Sequence, residues 1–225
     1  MNLKKGMTIG LLVFSLIVSL FAPVASVEAK QVKKAKVSTH YYKKKKAFKY
    51  PQVKNLTKVH QKRINSDLKL RVQYSYEMYL DLKKEAKKYN GGKVDYKTWY
   101  ETKFNNGKKL SFLTYDYANA GGNHGDTMII GMNYDLQKKK TRLLDLTDVL
   151  TTKKKRNKVR DYVYNYTKKH KNKFYVGLKK SEIEISENTQ FHFTNKGISV
   201  VFQPYEIAPY SSGIPMINVP AKVYK

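Results

Sequence analysis

The amino-acid sequence predicts an α+β fold: antiparallel sheets with helices packed on one face, arranged as two small lobes. Three observations carry that reading. Apolar residues recur at the helical period through two stretches, 56–89 and 155–169. Alternating strand patterns come in pairs, 109–117 with 127–135 and 190–194 with 198–203. The two kinds of pattern stand in separate blocks, with no regular β-α-β alternation to build a parallel sheet.

The chain opens on a leader. Lys4 and Lys5 precede a nearly unbroken apolar run over 9–22, Pro23 interrupts it, and Val27-Glu28-Ala29 follows. This order of charge, apolar stretch and small residues is what signal peptidase reads, so residues 1–29 are expected to be a Sec-type signal peptide cleaved after Ala29. An uncleaved membrane anchor is the rival, because 7–27 is uncharged and long enough to span a bilayer. Pro23 and the small-residue site favour cleavage, and the absence of cysteine rules out a lipoprotein anchor. The expected localisation is secreted, extracellular or cell-wall associated. Cleavage removes 29 of 225 residues and leaves 196, enough for one sizeable core or two small lobes. With no cysteine there are no disulfides and no thiolate metal site.

Residues 30–46 end in four consecutive lysines, Lys43 to Lys46, and read as a basic flexible tail. The folded part is expected from residue 47, as lobes 47–115 and 116–225. The first helix is expected over 56–89, with Thr57 as N-cap and Val59, Ile64, Leu68, Val72, Tyr76 and Tyr79 near the helical period. Lysines crowd its end, Gly91-Gly92 stops it, and its length predicts a break or bend within it. In the strand at 109–117, Leu113, Tyr115 and Tyr117 share a face. Its antiparallel neighbour at 127–135 places Met128, Ile130, Met132 and Tyr134 opposite Ile129, Gly131 and Asn133. A glycine-rich loop, 118–126, joins them. A short helical piece at 146–150 and a helix at 155–169, with Val159, Tyr162, Val163 and Tyr166 on one stripe, come next. Asn195-Lys196-Gly197 is hairpin chemistry, and the four prolines after 203 make an extended tail whose Val219-Pro220 suits a sheet edge.

The formal charge is +28, from 45 Lys and Arg against 17 Asp and Glu; Lys4, Lys5 and Glu28 leave with the leader, so +27 remains. Such a polycation delivered outside the cell is drawn to anionic wall polymer and membrane surface, in a salt-sensitive way. Solvated lysine faces are the bland alternative for any single run. A nucleic-acid partner is not expected: no recognition motif is present and the leader sends the chain elsewhere. A membrane partner is expected only through the leader, if that is retained.

Four stretches together carry a resemblance. They are Tyr50-Pro51 with Ile64-Asn65; Tyr117 with Gly121-Gly122-Asn123-His124-Gly125; Tyr134-Asp135-Leu136 with Leu144-Asp145-Leu146; and 191–197 running into Phe202-Gln203-Pro204-Tyr205-Glu206-Ile207-Ala208-Pro209-Tyr210, with Gly213-Ile214-Pro215. In this order they resemble the extracellular region of RsiV-type anti-sigma factors and the non-catalytic region that precedes the catalytic domain of PdaC-type peptidoglycan deacetylases. The likeness runs from about Tyr50 to Val219, PdaC/RsiV-like in the first lobe and RsiV-like in the second. Asn123 replaces a common alanine, and lysines replace a glycine near 138–141. The resemblance implies a receptor or accessory module: the RsiV region binds lysozyme, and the PdaC region accompanies a deacetylase. No domain precedes the apolar segment, so a membrane-spanning anti-sigma factor is not expected. The deacetylase motifs are missing as well, since the five histidines stand singly at 40, 60, 124, 170 and 192.

His124 is the most tempting catalytic candidate, with Asp126 and Asp116 near in sequence and Ser111 or Ser211 as distant nucleophiles. The alternative is a tight loop whose histidine caps backbone groups. Glu206, amid Pro and Tyr, is either a carboxylate with a raised pKa or an anchor for the backbone of 204–209. A glycosidase needs a second carboxylate at a set separation, and the motif offers none. Among 19 tyrosines, Tyr74, Tyr76, Tyr79, Tyr162 and Tyr166 have core spacing, while Tyr115, Tyr117, Tyr205 and Tyr210 cluster at the motif loops, where tyrosine suits recognition.

The expectation is a non-catalytic wall-associated binding module, with no catalytic residue, metal or cofactor. Its binding residues are Tyr117, His124, Tyr205, Glu206, Pro209 and Tyr210, with Gly121, Gly122, Gly125, Gly197 and Gly213 shaping the turns. Its expected partner is peptidoglycan, anionic wall polymer or a wall-active protein. Lysozyme binding or inhibition is the second expectation and a wall-glycan hydrolase or deacetylase the third.

Overall fold

Lys36–Tyr41 (β1) and Lys49–Lys54 (β2) pair antiparallel, with His40 opposite Tyr50, in the computed structural model, which describes residues 33–89 and 91–225. The expected signal peptide, its expected cleavage site and the first residues of the expected tail lie outside the described residues. The rest of that tail is a correction: 36–46 is folded. The four lysines make the connection between β1 and β2, where Lys43 (φ 48°) and Lys44 (φ 59°) take left-handed backbone and the Lys45 N–H donates to the Tyr42 carbonyl at 2.9 Å. Their side chains point outward, and Lys43 Nζ sits 4.7 Å from the centre of the Tyr76 ring. A charge run therefore marks an exposed turn here, because only the backbone takes part in the ladder.

The first helix, Lys58–Ala86 (α1), begins where the Thr57 hydroxyl accepts from the His60 N–H. It ends at Gly92, whose N–H reaches the Ala86 carbonyl at 3.2 Å. It runs its 29 residues as one helix, without the expected break. Ile64, Leu68 and Val72 are buried, but Val59 is 57% exposed, outside the stripe assigned to it. An amide clip locks α1 to β2: the Asn65 side chain accepts from the Val53 N–H at 2.7 Å and donates to its carbonyl at 3.0 Å.

The central sheet has the order β3-β4-β5-β6, from Asp95–Asn105, Lys109–Asn119, Asp126–Asp135 and Leu143–Leu144. β4 and β5 are antiparallel neighbours across the glycine loop, as their alternation predicts. The edge strand β3 is an addition to the sequence reading. Its even positions from Tyr96 to Phe104 are aromatic or threonine, interrupted by a bulge between Thr102 and Phe104. β4 is buried almost throughout because both its faces are covered. Leu110 and Phe112 meet Ile64 and Leu68 of α1, whereas Leu113 and Tyr115 meet Val201 from the C-terminal sheet.

That second sheet is β7-β8-β9, from Gln190–Thr194, Gly197–Val201 and Met216–Pro220, all antiparallel, with Val219-Pro220 on the edge strand as expected. Its other face buries Val159 and Val163 of Lys153–Lys169 (α2) against Phe191, Phe193, Val200 and Ile217. The packing order is α1, four-stranded sheet, three-stranded sheet, α2. The fold class is α+β as predicted, with α1 packed against the β1-β2 pair and the four-stranded sheet and α2 against the three-stranded one. The lobe boundary at 115–116 falls inside β4, and the described residues from 33 onward cluster as one compact unit. The sequence could not show this, because β4 looks amphipathic until a second sheet covers its other face.

Side-chain amides stitch the two sheets together. β5 pairs with β4 along one edge; along the other it pairs with β6 at Asn133 and Tyr134, and before that its backbone meets single side chains. Ile129 donates to Gln203 Oε1 at 2.9 Å and accepts from its Nε2 at 2.7 Å, and the Gly131 N–H donates to Gln190 Oε1 at 2.9 Å. Asn133 Nδ2 donates to the Phe191 carbonyl at 2.8 Å, and the Phe193 N–H donates to Ser111 Oγ at 3.0 Å. Gly131 is glycine because a Cβ there would collide with the Phe191 carbonyl.

Candidate functional site

Gln203 fixes more than the seam. It anchors the segment that follows β8, where Pro204 and Tyr205 turn the chain. Tyr205 has φ 66°, left-handed backbone that a bulky residue takes only when its surroundings hold it there. Glu206 supplies the holding contacts: its carboxylate accepts from the Gln203 N–H at 2.7 Å and its own N–H reaches the Gln203 carbonyl at 3.1 Å. Both features expected of Glu206 are present: it anchors the backbone of the turn, and its pKa is raised. The residue as a whole is exposed, yet its carboxyl tucks under the turn. That burial raises its pKa against the opposing pull of the Gln203 amide, and the neighbouring Glu184 adds to the rise.

Pro209 opens a short helical turn, its carbonyl accepting from the Ser212 N–H at 2.9 Å, and Gly213 closes it at φ 72°. The turn lifts Tyr210 to the surface between two other rings. His124 lies against Tyr210 with centroids 5.4 Å apart and planes 23° from parallel, and Tyr205 lies against Tyr210 at 5.6 Å and 25°. Tyr205 and Tyr210 remain 47% and 41% exposed. The two motif loops, 80 residues apart in the chain, thus meet through a row of three stacked rings.

The glycine loop presents His124. Asn119 Oδ1 accepts from the Gly121 and Gly122 N–H groups at 2.8 and 3.1 Å, and His124 Nδ1 lies 3.3 Å from the Gly125 carbonyl. Gly125 is buried beneath the Tyr117 ring, and a Cβ there would come within 2.6 Å of the Ala118 carbonyl. Gly197 has a similar role in the other sheet, against the Val219 carbonyl. Tyr117 is half-buried and carries Lys97 Nζ over its ring at 4.6 Å. Next to this pair on the same sheet face, Trp99 stacks on Tyr115 at 4.9 Å, nearly parallel. Lys97 and Trp99 went unnoticed in the sequence because β3 did.

The catalytic set imagined around His124 does not assemble. Asp116 points to the opposite sheet face, where it pairs with Arg71 of α1 at 3.0 Å and accepts from the Tyr96 hydroxyl at 3.0 Å. Ser111 is buried in the seam under Phe193, and Ser211 is exposed beyond Tyr210. Among the described residues, no group of three or more His, Asp or Glu is arranged to hold a metal ion. None of their helices is long and apolar enough to cross a membrane.

Fold and site together define an α+β domain of three antiparallel sheets with a surface row of aromatic rings. Residues 30–127 match the family model described as deacetylase PdaC, and residues 135–222 match that of a protein of unknown function, DUF3298. The two matches support the resemblance to RsiV/PdaC-type domains of unknown function. The gap between the two matches falls inside β5, so both halves build one sheet. Two crystal structures share the fold. A DUF3298 family member from Bacteroides fragilis aligns at TM-score 0.54 and 17% identity over 84% of this chain and 90% of that one. A DUF3298 family protein from Pseudomonas aeruginosa aligns at TM-score 0.51 and 12% identity, over 85% and 90%. No curated protein matches the chain.

Proposed function

We propose that the protein is a secreted, non-catalytic module that binds the bacterial cell wall, with the His124–Tyr210–Tyr205 row as its recognition edge. The observation that carries this reading is the row itself. Three rings are stacked and half-exposed, and one of them sits on left-handed backbone. Strain of that kind costs about 1–3 kcal/mol and persists where the surroundings over-determine it, which marks functional surfaces. Flat aromatic faces suit the apolar faces of sugar rings, and tyrosine adds a polar tip at low entropy cost. The charge of +28 on the whole chain supplies long-range attraction to anionic polymer. The test is retention on purified walls, with and without teichoic acid, through a salt series. Retention at low salt that weakens when His124, Tyr205 and Tyr210 are replaced by alanine supports the reading, and no retention at low salt ends it.

The RsiV likeness favours a second reading, binding or inhibition of a lysozyme. Like charge counts against the basic animal enzymes, since it slows encounter. An inhibition assay separates the two, because wall attachment alone leaves lysozyme turnover unchanged.

A further inference from the structure

We infer that the molecule has a second binding site, a lysine-lined groove on the side of β7 that faces α2 and the β3–β4 turn, and that it takes a phosphodiester-linked polyanion. The inference rests on the wall-binding reading above and deepens it by giving the charge attraction a place. Two clefts of about 430 and 550 Å³ adjoin at Lys109, Val149 and Phe193, which line both, and together they make up the groove. Cations reach it from separate parts of the chain: Lys109 after the β3–β4 turn, Lys138 and Lys140 after β5, Lys155 on α2 and Lys196 in the β7–β8 turn. None of these five ammonium groups pairs with a carboxylate among the described residues. The two acids at the groove are already engaged, Asp148 by Arg142 and the Asp145 N–H, and Asp135 by the Gln137 N–H.

Two further features point to an anion. Lys109 Nζ is held 4.2 Å over the Phe193 ring, which fixes a charge above an apolar floor. In addition, α2 begins Lys153-Lys154-Lys155 with no acid in its first turn, the wrong sign for the positive end of a helix. Such a placement is unfavourable in the free protein and is relieved by a bound anion. A groove with a row of point charges and an aromatic floor fits a chain with one charge per repeat and uncharged units between. Lysine ammonium groups suit phosphate as point charges.

Titration with purified polyglycerol-phosphate chains against salt tests this, with poly-glutamate as a carboxylate polymer of similar charge. The triple variant K109Q/K155Q/K196Q is compared with K62Q/K69Q/K84Q, which removes the same charge from exposed α1. The exposed pair K138Q/K140Q serves where loss of the Lys109–Phe193 contact disturbs folding. The expected result is at least a tenfold loss of polyglycerol-phosphate affinity at moderate salt for the groove triple, with a shallower dependence of log K on log[salt], by about two for three lost phosphate contacts. The α1 triple should change affinity less than threefold, and poly-glutamate should bind at least tenfold more weakly. Equal losses from both triples, or equal affinity for the two polymers, overturns the groove. If wall retention persists through such a result, only the groove falls; if walls retain nothing while the polymer still distinguishes the triples, only the wall-binding reading falls.

Discussion

At the scale of single residues, Tyr205 separates stability from recognition. Left-handed backbone costs a non-glycine residue about 1–2 kcal/mol, and glycine gives back about 0.5–1 kcal/mol through its freer unfolded chain. Tyr205→Gly should therefore unfold within about 1 kcal/mol of the parent in urea, while its retention on walls falls with the loss of an outer ring. A Tyr205→Gly protein that binds as well as the parent would remove the row from the site. His192 gives a pH signature. Burial lowers its pKa from the usual 6.5, while its Nδ1–H donates to the Phe193 carbonyl at 2.9 Å. Below pH 6.5 the unfolded chain binds the proton that the folded one resists, so stability must fall as pH falls through this range. His192→Gln should flatten the dependence of the urea midpoint on pH below 6.5. Glu206 has the opposite sign relation. Its raised pKa lets the folded state keep its proton longer, so its contribution to stability declines as pH rises above the usual carboxylate value. Glu206→Gln keeps an acceptor for the Gln203 N–H and should remove that decline.

Between elements, the fold depends on a few polar clips, and these have larger costs. Gln203→Ala leaves both backbone groups of Ile129 without the side chain that now meets them. At about 1–3 kcal/mol for each unpaired buried group, the loss should be about 2–6 kcal/mol, read from thermal or urea unfolding. It should also release the turn that carries Tyr205. The Arg71–Asp116 pair is nearly fully buried between α1 and β4. Asp116→Ala strands a guanidinium in the core and should cost about 3–5 kcal/mol, whereas joint replacement of both by apolar residues of similar volume should be close to neutral. Unfolding of the single and double variants decides whether the pair stabilises or only tolerates its burial. This pair and the Asn65 clip add polar contacts to the apolar docking of α1 through Ile64, Leu68, Val72, Tyr76 and Tyr79.

For the whole molecule, the sequence disclosed what is local. Thr57, the alternation over 127–135 and the Asn195-Lys196 turn each fix their element through their own neighbours, and each stands as read. The ring row is half-legible: His124, Tyr205 and Tyr210 stand in two motifs, but nothing in either motif says that the rings stack. What was hidden depends on distant partners. β1 was masked by lysines whose charge concerns only their side chains, β3 by polar residues on an edge strand, and Asp116 by a partner 45 positions earlier in α1. The groove was invisible for the same reason, since its lysines are scattered over more than 80 positions. The amide seam has one further bearing on how such a chain behaves at high local density. A sheet edge left open invites a strand from another copy, and crowding on a polymer surface would encourage that. Along β5 the invitation is withdrawn at Ile129 and Gly131, because a glutamine satisfies the backbone there without extending a ladder that a neighbour might join. At that stretch of β5 a second copy finds no free ladder to extend.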